Sequence, residues 1–163
     1  MYYIQRLWGD KKMNGREDSK QNDLFFLCSL IEYIGRQTKN ERCVIVNALG
    51  RKGLEHYYEL AEVYHCENID KVTDEIVNKY GIVAGHYDNV SKAEDSVPTH
   101  WDIGKVIQRI VLKLADSSDG DIIGALIKVY NSWIIAKIDD YNSSMYYENT
   151  SYQYESLLAG KAL

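Results

Sequence analysis

DLFFLCSLIEYIGRQ, from Asp23 to Gln37, sets the architecture of this chain. Leu24, Leu27, Leu30, Ile31 and Ile34 recur at helical spacing and form an apolar stripe. Phe25, Phe26 and Cys28 widen that stripe over most of the circumference, so the helix is predicted to be central. Asn22 or Asp23 is expected to cap its start, since a short polar side chain accepts from the free amides of a first turn.

Similar patterns continue outward from this helix. Asn40 is positioned to cap a helix over Glu41–Leu49, which Gly50 would stop. Leu54, Tyr57, Tyr58, Ala61, Tyr64 and His65 share helical spacing on the next. Asn68 precedes Ile69, Val72, Ile76 and Tyr80, and Gly81 closes that helix. Ile82 to Val97 carries no period and reads as a loop joining two helical halves. Thr99-His100-Trp101-Asp102 is a capping box, followed by Ile103, Val106, Ile107, Ile110 and Leu114 on one face. Ser118-Asp119-Gly120-Asp121 and Thr150-Ser151-Tyr152-Gln153 repeat the device. The first of these opens one long helix through Tyr130 to Ile138, and Gly160 stops the last helix. No strand-type alternation is sustained. The expectation is an all-α, irregular multi-helix bundle spanning residues 22–163, preceded by an arm or linker over residues 1–21 that could hold a short strand.

Bulk properties narrow the functional classes. A chain of 163 residues fits one domain and can bury roughly 70% of its unfolded surface without staples. The net charge of -5 argues against broad phosphate binding, so no nucleic-acid partner is expected. Cys28, Cys43 and Cys66 cannot all pair, and reduced, buried thiols in a cytoplasmic protein are the simplest reading. MYYIQRLWGDKKM lacks the sustained apolar core of a secretory leader, Met13 offers an alternative start, and no run is long enough to span a membrane.

Chemical motifs are sparse. His65 and Cys66 are adjacent, and adjacent helical residues diverge by about 100°, so they rarely share one ion. Asp139, Asp140 and Asn142 offer oxygen ligands, but the calcium-loop spacing is absent and a solvated helix end is expected. No glycine-rich phosphate loop is present. The helix after Gly50 carries Glu55, Glu59 and Glu62, too acidic to read DNA. No catalytic residue, metal site or cofactor is expected.

The tail places Tyr141, Tyr146, Tyr147, Tyr152 and Tyr154 among Asn, Ser and Thr. Tyrosine combines a rigid apolar face with a polar tip, a mixture enriched in recognition surfaces. These side chains either wrap onto the body or form an interface. Trp101 and Trp133 are expected in the core of the second half. Trp8, in a polar arm, is the better candidate for an intermolecular contact.

Cys28-Ser29-Leu30-Ile31-Glu32, Ala48-Leu49 before a glycine turn, Tyr58-Glu59 leading to His65, then Val72 and Asp74-Glu75-Ile76 follow in order. This order resembles a family of small helical bacterial proteins of unknown function. They are antitoxin-like partners of neighbouring ADP-ribosyltransferase-like proteins. The resemblance covers about a third of the chain and implies a binding role with no catalytic residues. The sequence therefore reads first as a protein-binding module of antitoxin or immunity type, with Trp8, Tyr141, Asn142, Tyr146, Tyr147 and Tyr152 at its interface. One alternative is a small-molecule binder or enzyme with a pocket between the helical halves, using His65, His100 and Asp139. Another is a homo-oligomer with no foreign partner.

Overall fold

The computed structural model describes residues 18–163, which form an all-α, multi-helix arrangement with no strand among them. Helix α1 runs Ser19–Thr38, α2 Arg42–Glu59, α3 Ala61–Tyr64 and α4 Ile69–Tyr80. After a long loop come α5 His100–Asp116, α6 Ile122–Tyr130, α7 Trp133–Ile138, a 3-10 turn Met145–Tyr147 and α8 Thr150–Ala159. Residues 1–17, with Trp8 and most of the expected arm, lie outside the described residues.

The caps explain where the helices begin, and several differ from the sequence expectation. Helix α1 starts four residues before Asp23 because Asp18 Oδ1 accepts from the Gln21 amide at 2.8 Å. Residues 19–21 thus belong to the helix and not to a linker. Asn40 does not cap α2. Its amide nitrogen donates to Thr38 Oγ1 at 3.0 Å and the Val83 carbonyl at 2.9 Å, tying the loop to the α1–α2 turn. Gly50, at φ 64 and ψ -179, leaves the helical conformation and stops the first part of α2 as expected, so α2 is two helical stretches joined at a kink. The box Thr99–Asp102 forms as expected, with both reciprocal bonds present. Asp121 alone caps α6, and Asn149, not Thr150, caps α8. The single helix expected through Tyr130 and Ile138 breaks at Asn131, whose side chain donates to the Ile127 carbonyl at 2.9 Å.

Helix α1 is the centre of the packing. It lies along α5 on one side and α2 on another, and α6 bridges α2 and α5. Leu24, Leu27, Leu30, Ile31 and Ile34 are all buried, and they join Ile103, Ile107, Ile110 and Leu126 in one core. The space between the first and second stretches of helix is therefore filled by α1 and its apolar neighbours. Trp101 corrects the sequence reading: it is 42% exposed, packed beside Phe25 at a centroid distance of 5.6 Å. Cys66 is exposed as well, and only Cys28 is a buried thiol. No helix among the described residues is long and apolar enough to cross a membrane.

The α1–α5 contact is close because Gly104 faces Ser29. A Cβ on Gly104 would stand 2.2 Å from Ser29 Oγ and 2.8 Å from Ser29 Cα. Backbone blocks that position, so the helices must separate to admit a methyl group. Gly→Ala within a helix otherwise stabilises by up to about 1 kcal/mol. Gly104→Ala is expected to reverse that sign and cost about 1–3 kcal/mol, as overpacked cores do. Urea denaturation of the two proteins checks it.

Candidate functional site

The one strongly charged side chain in the middle of α1 is Glu32, and it is 1% exposed. A carboxylate there needs a partner. The turn Lys39–Glu41 supplies one by reversing the chain, so that Arg42 in the first turn of α2 points back along α1. Lys39 adopts the left-handed conformation at φ 55 and its amide returns to the Gly35 carbonyl. The arginine stem then crosses α1 at Gly35, where a Cβ would sit 2.5 Å from Arg42 Cδ. Arg42 is fully buried. Its Nε donates to Glu32 Oε1 at 3.3 Å and its Nη1 to the Asn40 carbonyl at 3.0 Å.

Two later elements complete the cluster. Tyr130, at the end of α6, donates its hydroxyl to Glu32 Oε2 at 2.9 Å. Asp139, just past α7, is 2% exposed, and Asn89 of the long loop donates to its backbone carbonyl at 2.8 Å. Asp139 was expected at a solvated helix end. The loop 82–97 instead folds over that end and removes it from water. Beside it, Tyr141 is buried, and Arg36 Nη2 donates to the Tyr141 hydroxyl at 2.7 Å and to the Pro98 carbonyl at 2.8 Å.

Above this cluster opens a cleft of about 440 Å³. Its walls come from three segments: Glu41 and Cys43 of the α2 start, Tyr87 to Lys92 of the loop, and Ile135 to Asn142. Arg42, Tyr130 and Asp139 reach it from beneath. The rim is pinned by Asn142, which donates to the Lys92 carbonyl at 3.0 Å and accepts from the Glu94 amide at 2.9 Å.

The electrostatics of the floor are asymmetric. Burial, then repulsion from Glu32, pushes the Asp139 carboxyl well above the usual carboxylate range, while Arg42 and Arg36 pull it back less strongly. A hydrogen bond to Glu32 acts in the same upward direction. Burial opposes the Arg42 charge, but Glu32 and Asp139 more than offset it and keep the guanidinium charged. Burial and the neighbouring carboxyls also push the Tyr130 and Tyr87 phenols up, so both remain proton donors.

Two buried polar atoms of this cluster lack a protein partner: Arg42 Nη2 and Asp139 Oδ1. Both residues line the cleft. Leaving a buried donor or acceptor unpaired costs about 1–3 kcal/mol, more for a charged group.

The structure gathers some of the sequence-derived site residues and disperses others. Asp139, Tyr141 and Asn142 meet at the cleft. His65 borders a separate groove with Phe25, Phe26 and Trp101. His100 packs its ring 4.9 Å from Tyr33 and 4.7 Å from Trp101. The two histidines therefore do not join Asp139 in a pocket. Tyr152 turns back to donate to the Leu163 carbonyl at 2.6 Å, and Tyr154 bonds Ser117. Tyr146 and Tyr147 stack at 4.9 Å, and Tyr147 is 62% exposed. Among the described residues, no group of three or more His, Cys, Asp or Glu is placed to hold a metal ion. Sequence reasoning passed over Glu32, Arg42, Tyr87 and Asn89. The readable signal was a charge on the apolar circumference of α1 with a glycine three residues later.

Comparison with known proteins gives no match: no family model fits the chain, and no curated protein or solved structure is significantly similar to it.

The raised Asp139 carboxyl has a measurable consequence. Folded Asp139 keeps its proton to a higher pH than the unfolded residue does. Its contribution to stability is thus full below the ordinary carboxyl range and is lost as pH rises towards the folded value. Asp88, Asp102 and Asp121 shift the other way, so the comparison must be with a variant. Asp139→Asn retains a hydrogen-bond donor to Glu32 and cannot ionise. Relative to wild type it should gain stability with rising pH above 4, by up to about 1.4 kcal/mol per pH unit. Urea unfolding across pH 4–8 reads this directly, and a constant difference would contradict the raised Asp139 carboxyl.

Proposed function

We propose that this protein is a ligand-binding protein and that its ligand occupies the cleft over Arg42 and Asp139. The observation that supports this reading is a buried ion pair and a second buried carboxyl, with two unpartnered polar atoms, on residues that line the cleft. A protein selected for stability alone has no need of them. Buried ion pairs roughly break even against apolar replacements of similar size. A cleft of this volume falls within the range of small-molecule sites, about 300–1,000 Å³. Convergent polar groups with perturbed ionisation are what such sites display.

The test uses a substitution that fills the cleft without touching the cluster. Ala136 lines the cleft and is otherwise exposed. Ala136→Trp should leave stability within about 0.5 kcal/mol, as surface changes do. Fragment screening by nuclear magnetic resonance should give ligands whose shifts centre on Tyr87, Asn89 and Asn142, all lost in the Trp variant. Ligands that survive Ala136→Trp, or that map elsewhere, would contradict the reading.

A second reading keeps a protein as the partner. It is favoured by Tyr147, which remains 62% exposed on a 3-10 turn although the other tail tyrosines are tethered. The antitoxin-like resemblance points the same way. On this reading Tyr147→Ala leaves folding intact and abolishes co-purification of a stoichiometric partner from the native host. Unchanged co-purification removes Tyr147 from the interface.

A further inference from the structure

We infer that the groove between α1, α3 and α5 binds an arginine side chain carried on a peptide segment of a partner protein. This site is separate from the cleft over Arg42, and different chemistry selects its occupant.

The groove has a volume of about 760 Å³. Phe26, Ala61 and Asp23, all buried, form its base. Phe25 and Trp101, with ring centroids 5.6 Å apart, line it from α1 and α5, and Glu62 and His65 line it from the α3 end. Asp23 is 7% exposed, yet no hydrogen-bond donor among the described residues reaches its carboxylate. Its ion-pair partner, Lys20 Nζ, stands 3.6 Å away on a side chain that is 63% exposed. A carboxylate this far from water gains from any ligand that brings it donors.

The lining calls for a flat cation. Among the described residues, the acids Asp23 and Glu62 line the groove and no Lys or Arg does, so an anion is repelled. Aromatic faces attract cations, and Phe25 already carries one: Lys105 Nζ stands 4.2 Å from its ring centroid. Trp101, the stronger partner for a cation, keeps 42% of its surface exposed beside it. A guanidinium stacks on such a ring while its edge donates two parallel bonds to one carboxylate. An ammonium is a more strongly hydrated point charge and gains less from either contact. The groove is larger than one side chain, and the exposed Ser19 and Asn22 at its rim offer polar groups to the peptide backbone on either side of the arginine.

Blocked tripeptides with alanine on either side of arginine, lysine or citrulline keep one backbone and change only the tip, and citrulline is the neutral isostere of arginine. Each is titrated into the isotope-labelled full chain and into its Asp23→Asn and Trp101→Ala variants, followed by nuclear magnetic resonance. The arginine peptide is expected to bind at least about ten-fold more tightly than the other two and to shift the Trp101 indole and His65 resonances. Asp23→Asn should bring arginine down to the level of citrulline and leave citrulline unchanged, a pattern that loss of folding does not produce. Trp101→Ala removes an exposed ring, so the chain stays folded, and it should abolish the arginine preference as well. Lysine binding as tightly as arginine overturns the inference, and so does an arginine preference that persists in either variant. Shifts centred away from the groove, or no shift with the arginine peptide, overturn it too.

Discussion

The ion pair between Arg42 and Glu32, threaded past Gly35, is the interaction on which the arrangement depends. Glu32 sits on the central helix, where an unpaired carboxylate would cost several kcal/mol. A cation from the next helix reaches it, because the α1–α2 turn leaves Arg42 facing back along α1. That route exists because residue 35 lacks a side chain. The direction of α2 is therefore tied to one charge and one glycine. The loop and the α7 end then close over the same point through Tyr87, Asn89 and Asp139, and Tyr130 seals it from α6.

A cluster of this kind is an expensive way to stabilise a bundle. Desolvation of each ion offsets much of the attraction, and the cluster still leaves a guanidinium nitrogen and a carboxyl oxygen unpaired. Burial and repulsion from Glu32 push its second carboxyl, Asp139, well above the usual carboxylate range. Apolar side chains would fill the same space at comparable stability. Buried atoms without a partner also occur elsewhere on α1, at Ser29 Oγ and Arg36 Nε, but the cluster under the cleft is where a buried ion pair and a second buried carboxyl meet.

The helical architecture was legible because its signals are local. The apolar circumference of α1, the capping box at Thr99–Asp102, the cap at Asn68 and the stops at Gly81 and Gly160 each depend on a few neighbouring residues. The site was largely illegible because its members lie far apart in the chain: Glu32, Arg42, Asn89, Tyr130 and Asp139. A pair of acids after an apolar helix reads as a solvated end unless the segment that covers it is known. Asn40 and Trp101 failed for a related reason. A local preference, capping or burial, gave way to a long-range partner, the Val83 carbonyl for one and the edge of Phe25 for the other. Glu32 carries a local signal that went unread, since a charge inside an apolar pattern announces a buried partner without naming it.

The claim at the centre of this account is that burial beside Glu32 holds the Asp139 carboxyl well above the usual carboxylate range beneath the cleft. Carbon-13 resonance of the Asp139 carboxyl, followed through a pH titration of the folded protein, measures that directly. The account predicts a titration of Asp139 well above the usual carboxylate range. A titration of Asp139 within that range would contradict it and reduce the cluster to a simple structural ion pair.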